Sequence, residues 1–73
     1  MPLILQKEIS GDEVKLLQYW LNAHGYNCGL EDGEFGEKTR GSVIQFQSAK
    51  SIVADGIVGP QTRRVMDRIS KNE

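Results

Sequence analysis

A motif of nine residues occurs twice in this chain, and the repetition restricts its fold more than any other feature. Asp32-Gly33-Glu34-Phe35-Gly36-Glu37-Lys38-Thr39-Arg40 is matched by Asp55-Gly56-Ile57-Val58-Gly59-Pro60-Gln61-Thr62-Arg63 at a constant offset of 23 residues. Apolar positions beyond the motif also align, Val43 with Met66 and Phe46 with Ile69. Two segments related in this way are two copies of one local structure. The residues say which one. In Asp-Gly, the Asp side chain can bond the backbone two residues on, and Gly accepts a positive φ, so each copy opens with a tight turn. Phe35 or Val58 can then plug inward and pin the loop. Gly36 and Gly59 suit a helix N-cap, and Pro60 suits the first helical position, where a fixed φ and a missing N–H do no harm. Thr39 and Thr62 fall in the first turn, where a hydroxyl can reach back to free backbone donors.

A third helix precedes the repeats. Ser10-Gly11-Asp12-Glu13 has the form of a capping box, with Ser10 at the N-cap. Val14, Leu17, Gln18 and Leu21 recur at helical spacing, and Gly25 closes the helix as a left-handed C-cap. The second helix is predicted from about 37 to 50, with Thr39, Val43, Phe46 and Ala49 or Lys50 along one stripe. The third is predicted from about 60 to 70, with Thr62, Val65, Met66 and Ile69 along its stripe. Gly41 weakens the middle helix by about 1 kcal/mol relative to Ala, and such a gap predicts a close approach by another helix or by an N-terminal strand. The stretch from Asn22 to Gly36 holds four glycines and short apolar pieces, which predicts an irregular connection. The expected fold is all-α, a compact three-helix bundle with two repeated loop-helix motifs.

The chain has 73 residues, room for one domain and a marginal core. Nine Lys and Arg against ten Asp and Glu give a net charge of −1. That argues against a nucleic-acid partner, which asks for a clear basic excess. Arg63, Arg64, Arg68 and Lys71 on the third helix are the only encouragement for such a reading. No segment has the length and apolarity of a membrane span. The start, Met1 to Glu8, has an apolar run of three residues and no basic leader, unlike a secretory signal peptide. The chain is therefore expected to leave the cell by another route or to be cut from a longer protein.

Chemistry-bearing residues are few. Cys28 is the single cysteine and His24 the single histidine. Gly25 breaks the helix between them, so neither a metal site nor a nucleophile–base pair is expected. Asp32 and Asp55 read as turn formers, their repetition arguing for structure over a pair of catalytic carboxylates. Gln18 and Gln47 each follow a core apolar residue, a placement suited to bonding loop backbone, with Gln47 retained as a candidate ligand contact. Trp20 and Leu16 lie off the main stripe of the first helix. Either Leu3, Ile4 and Leu5 fold back over them, or Trp20 and Tyr26, beside Tyr19, form an exposed aromatic platform. Arg40 and Arg63 hold equivalent places in the two first turns. They are either a solvated face or a pair of carboxylate receivers beside helix N-termini.

Taken in order, these residues resemble the peptidoglycan-binding domain found at the ends of bacterial and phage cell-wall hydrolases. That pattern opens with Val14, Leu17-Gln18, Leu21 and Gly25-Tyr26. It continues with Asp32-Gly33, Phe35-Gly36, Thr39, Val43 and Phe46-Gln47, and closes with Asp55-Gly56, Val58-Gly59-Pro60 and Thr62. The resemblance spans roughly residues 9 to 69 of a single domain, 1–73. Departures are Ser42 in place of a usual Ala, Gly41 before it, Arg63 where Trp is frequent, and Met66 for Leu. The resemblance implies a monomeric, non-catalytic module without cofactor or metal, acting at the bacterial cell wall by binding peptidoglycan through its stem peptide or glycan and anchoring an attached hydrolase. The same fold also resembles the pro-domain module of some secreted metalloproteases, which implies as an alternative a protein-interaction module without wall affinity.

Overall fold

The computed structural model describes residues 5–7 and 9–72. Three helices follow one another: α1 (Asp12–Ala23), α2 (Glu37–Ala49) and α3 (Pro60–Lys71). The N-caps of α2 and α3 are Gly36 and Gly59, with Pro60 at the head of α3, as the repeat predicts. α1 ends as Gly25 requires. Gly25 takes φ 88°, its N–H donates to the Asn22 carbonyl, and the Tyr26 N–H reaches the Leu21 carbonyl at 2.8 Å. That pair of bonds is a Schellman closure.

The start of α1 differs from the capping box. Gly11, not Ser10, is the N-cap, and no side chain caps this end. Ser10 is instead drawn into an antiparallel bridge with Glu34, and Gly11 takes φ 132°, which lets the chain turn from that bridge into the helix. The N-terminal segment thereby touches both repeated loops. Ile9 accepts the Phe35 N–H at 3.0 Å, Gly11 donates to the Gly33 carbonyl at 2.9 Å, and Leu5 exchanges both backbone hydrogen bonds with Val58 at 3.0 and 2.7 Å.

The core is Leu5, Val14, Leu17, Leu21, Cys28, Phe35, Val43, Phe46, Val58 and Met66. Both loop plugs, Phe35 and Val58, are inside, as are Val14, Leu17, Gln18 and Leu21 of the α1 stripe. Along α2 the stripe stops at Phe46, leaving Ala49 and Lys50 exposed. Gly41 is exposed with nothing within 4 Å of where its Cβ would stand, so the expected close approach does not occur there. The approach is made one residue on, where the buried Ser42 hydroxyl donates to the Tyr26 carbonyl at 2.7 Å and ties the connection to α2.

Candidate functional site

Each repeated loop is held by one buried glutamine from the preceding helix. Gln18 Oε1 accepts the Gly33 N–H at 2.9 Å. Its Nε2 donates to the Glu34 carbonyl at 2.9 Å, Thr39 Oγ1 at 3.0 Å and Asp32 Oδ1 at 3.3 Å. Gln47 repeats the set on the second loop. Its Oε1 accepts the Gly56 N–H at 2.9 Å, and its Nε2 donates to the Ile57 carbonyl at 3.0 Å and to Thr62 Oγ1 and Asp55 Oδ1, both at 3.1 Å. Gln47 is fully buried with both ends of its amide committed to the fold. Thr39 and Thr62 serve the glutamines as acceptors, so the expected capping by their hydroxyls is replaced by a bond to a side chain. The turns themselves follow the sequence reading. Asp32 and Asp55 each accept the N–H two residues on at 2.9 Å, and Gly33 and Gly56 take φ 80° and 75°.

A shallow groove lies between each loop and the helix start that follows it. The first, about 510 Å³, is lined by Leu30, Asp32, Glu34, Gly36, Glu37, Lys38 and Thr39, with Gln18, Cys28 and Gly29 as a further wall. The second, about 190 Å³, is lined by Val53, Asp55, Ile57, Gly59, Pro60, Gln61 and Thr62. Every residue of the second is the repeat mate of one in the first. The first groove is charged and the second almost wholly neutral. Asp32 sits below the ordinary carboxylate range, chiefly because the Glu34 N–H bonds its charged form and then because Gln18 does. Glu37 is lowered mainly by its hydrogen bond with Lys7, with which it forms an ion pair. Burial pushes the Cys28 thiol up, so it stays protonated at neutral pH, and it donates to the Gln18 carbonyl at 3.3 Å.

The two arginines are not brought together as a matched pair. Arg40 is exposed, with its aliphatic stem laid across Gly56 of the second loop. Arg63 is half-buried and faces Glu13 of α1 at 3.8 Å. The aromatic residues converge on one core ring. Trp20 and Tyr26 meet Phe46 edge-on at 5.3 and 5.4 Å between centroids. His24 stacks on Trp20 at 3.8 Å, and Trp20 Nε1 donates to Ser70 Oγ at 2.9 Å. Trp20 is therefore half-buried with one face covered. Leu5 does fold back beside Leu16 and Trp20, lining a cleft with them; Leu3 and Ile4 lie outside the described residues. Leu16 and Tyr19 remain 63% exposed. No group of three His, Cys, Asp or Glu side chains placed to hold a metal occurs among the described residues, nor is any described helix long and apolar enough to cross a membrane.

The model of the peptidoglycan binding domain family matches residues 10–66, most of the chain. This chain belongs to that family. The match takes in both glutamine-clamped loops and all of α1 and α2. Among curated relatives, the module is 43% identical over 54 residues to the N-acetylmuramoyl-L-alanine amidase CwlM of Mycobacterium tuberculosis, covering 74% of this chain and 13% of that protein. It is 42% identical over 62 residues to the zinc D-Ala-D-Ala carboxypeptidase of Streptomyces albus G, covering 80% of this chain and 24% of that one. Solved structures share the fold. The SleB N-terminal domain superposes with a TM-score of 0.87 at 30% identity, covering 92% of each chain. A peptidoglycan-binding protein from Clostridioides difficile, in complex with glutamine hydroxamate, gives 0.86 at 40% identity over 92% of this chain and 42% of that one. The module thus spans a quarter or less of the two enzymes.

Proposed function

We propose that this module binds bacterial cell-wall peptidoglycan without cutting it and anchors an attached or partner hydrolase to the wall. The observation that carries this reading is the family match over residues 10–66, together with relatives that are cell-wall enzymes several times longer than the module. The side chains that elsewhere do hydrolysis serve the fold here. Asp32 and Asp55 hold turns, Cys28 is a buried protonated thiol, and the His24 ring stacks on Trp20. Recognition is then shallow and non-covalent, by a monomer, with Arg40 and Arg63 receiving stem-peptide carboxylates near the starts of α2 and α3. This reading gives the glycan platform of Trp20 and Tyr26 a smaller part, because Phe46, His24 and Ser70 already engage those rings.

Co-sedimentation with purified insoluble peptidoglycan tests the reading. The chain is expected in the pellet, with retention falling as salt rises, since exposed charge pairs contribute about 0–1 kcal/mol each and are screened. Arg40→Ala with Arg63→Ala should lower retention while leaving the circular dichroism spectrum intact. A second reading, a protein-docking module without wall affinity, is favoured by the exposed Leu16 and Tyr19 beside the Trp20 cleft. A chain that stays in the supernatant at low salt would select it.

A further inference from the structure

We infer that the first-repeat groove is a site for an amino-acid head group carrying both a free ammonium and a free carboxylate, as an uncross-linked diamino acid of a stem peptide presents. The inference rests on the wall-binding reading and adds to it a ligand class and a site.

The internal repeat acts as its own control. Both copies build the same turn, the same glycine N-cap and the same glutamine clamp. The second does so with Ile57, Pro60 and Gln61 where the first has Glu34, Glu37 and Lys38. The charges of the first copy are therefore not needed to form the loop. They are also arranged with both signs on one groove. The Lys38 stem lies across Gly29, its Cδ 3.0 Å and its Nζ 3.5 Å from where a Gly29 Cβ would stand, so the ammonium is carried to the Gly29 side of a groove whose lining also holds Asp32 and Glu34. Among the described residues Lys38 forms no ion pair, whereas Glu37 is taken by Lys7. Asp32 spends one oxygen, Oδ1, on the Glu34 N–H and Gln18. Its Oδ2 and the exposed Glu34 carboxylate are thus available to a cation.

The wall of this groove is itself braced. Asn22 Nδ2 donates to the Gly29 carbonyl at 3.0 Å, Asn22 Oδ1 accepts the Cys28 N–H at 2.9 Å, and Asn27 Oδ1 accepts the Gly29 N–H at 3.0 Å. Gly29 stands at φ 81°, a conformation that side chains resist, and its missing Cβ is the space the Lys38 stem occupies. A ligand ammonium would sit against Asp32 and Glu34, and its carboxylate against Lys38 and the uncapped N–H groups at the start of α2. Cross-linking converts that ammonium to an amide, so the site would favour uncross-linked stems.

The test is an NMR titration of the ¹⁵N-labelled chain with a synthetic stem tripeptide ending in diaminopimelic acid. Two further probes are the same peptide acetylated on the side-chain ammonium and the same peptide with its terminal carboxylates amidated. Amide shifts are expected to move within residues 29–39, and each capped probe should bind about two- to fivefold more weakly, the range that about 0.4–1 kcal/mol gives. Lys38→Gln, which copies the second groove, should lose the same factor, while Lys15→Gln on the exposed side of α1 should not. Equal binding of all three probes, or shifts confined to other surfaces, would overturn the site even if the chain sediments with walls. Conversely, specific tripeptide binding by a chain that does not sediment would leave the site standing and remove the wall-anchoring reading.

Discussion

Gln18 and Gln47 show how much of this fold hangs on single side chains. Each satisfies a buried Gly N–H and a loop carbonyl at once, and an unsatisfied buried polar group costs about 1–3 kcal/mol. Gln47→Leu should therefore lower stability by about 2–5 kcal/mol in urea unfolding, far more than Gln45→Leu on the exposed side of α2. A loss no greater than that control would mean the clamp contributes little. The turn glycines behave similarly. A Cβ on Gly33 would stand 3.0 Å from the Gly11 carbonyl oxygen, a backbone atom, and one on Gly56 would stand 2.8 Å from Arg40 Cγ, a side chain that can move. Both sites add the cost of a β-branched residue at positive φ, about 1–3 kcal/mol. Gly33→Val should thus melt below Gly56→Val, and both well below Lys38→Ala. The Asp-Gly turns, the plugs and the glycine caps were legible in the sequence because their chemistry is local. The Thr–Gln bonds and the Ser42 tie to Tyr26 were not, because they join residues 15 to 21 positions apart.

Helix ends extend the same lesson to whole segments. α1 and α2 both close by a Schellman bond pair, the second through Ser51 N–H to the Ser48 carbonyl at 3.2 Å and Ile52 N–H to the Gln47 carbonyl at 3.0 Å. Gly25 announces the first. Ser51 conceals the second by taking φ 58° without being glycine. Ser51→Gly should stabilise the protein by about 0.5–1 kcal/mol, the left-handed penalty less the extra entropy glycine loses. An unchanged or lower melting temperature would contradict that assignment. The N-terminal segment was the least legible part. Its apolar letters suggested a cover for Trp20, yet its larger task is to bridge both loops through backbone bonds, which carry no sequence signature. Leu5 is 2% exposed, so Leu5→Ala should cost about 2–5 kcal/mol although the residue belongs to no helix. Acid should loosen the same region. Asp32 and Glu37 have lowered folded pKa values, so their contribution is present above the unfolded value and is lost as pH falls through the folded one. Asp32→Asn, which keeps an oxygen acceptor for the turn, should flatten the decline in stability on the acid side of the ordinary carboxylate range.

Across the molecule, 26 × 22 × 21 Å in extent, almost every buried polar side chain is spent on holding two loops in place. The surface carries the two repeat grooves, the cleft beside Trp20, scattered charge and a few exposed apolar side chains, suited to contact with an extended polymer. Family membership was legible because the ordered motif set runs through nearly the whole chain. The difference between the two grooves was not, since it emerges only when the loops are folded and their linings compared. The proposed function is that the module holds the wall and leaves it intact. One incubation decides it: the chain is mixed with insoluble peptidoglycan carrying a covalent dye, the mixture is spun, and both protein and dye are measured in pellet and supernatant. Protein is expected in the pellet, with no dye released. Protein left in the supernatant, or dye released by the chain and abolished by a folded Asp32→Asn variant, would contradict it.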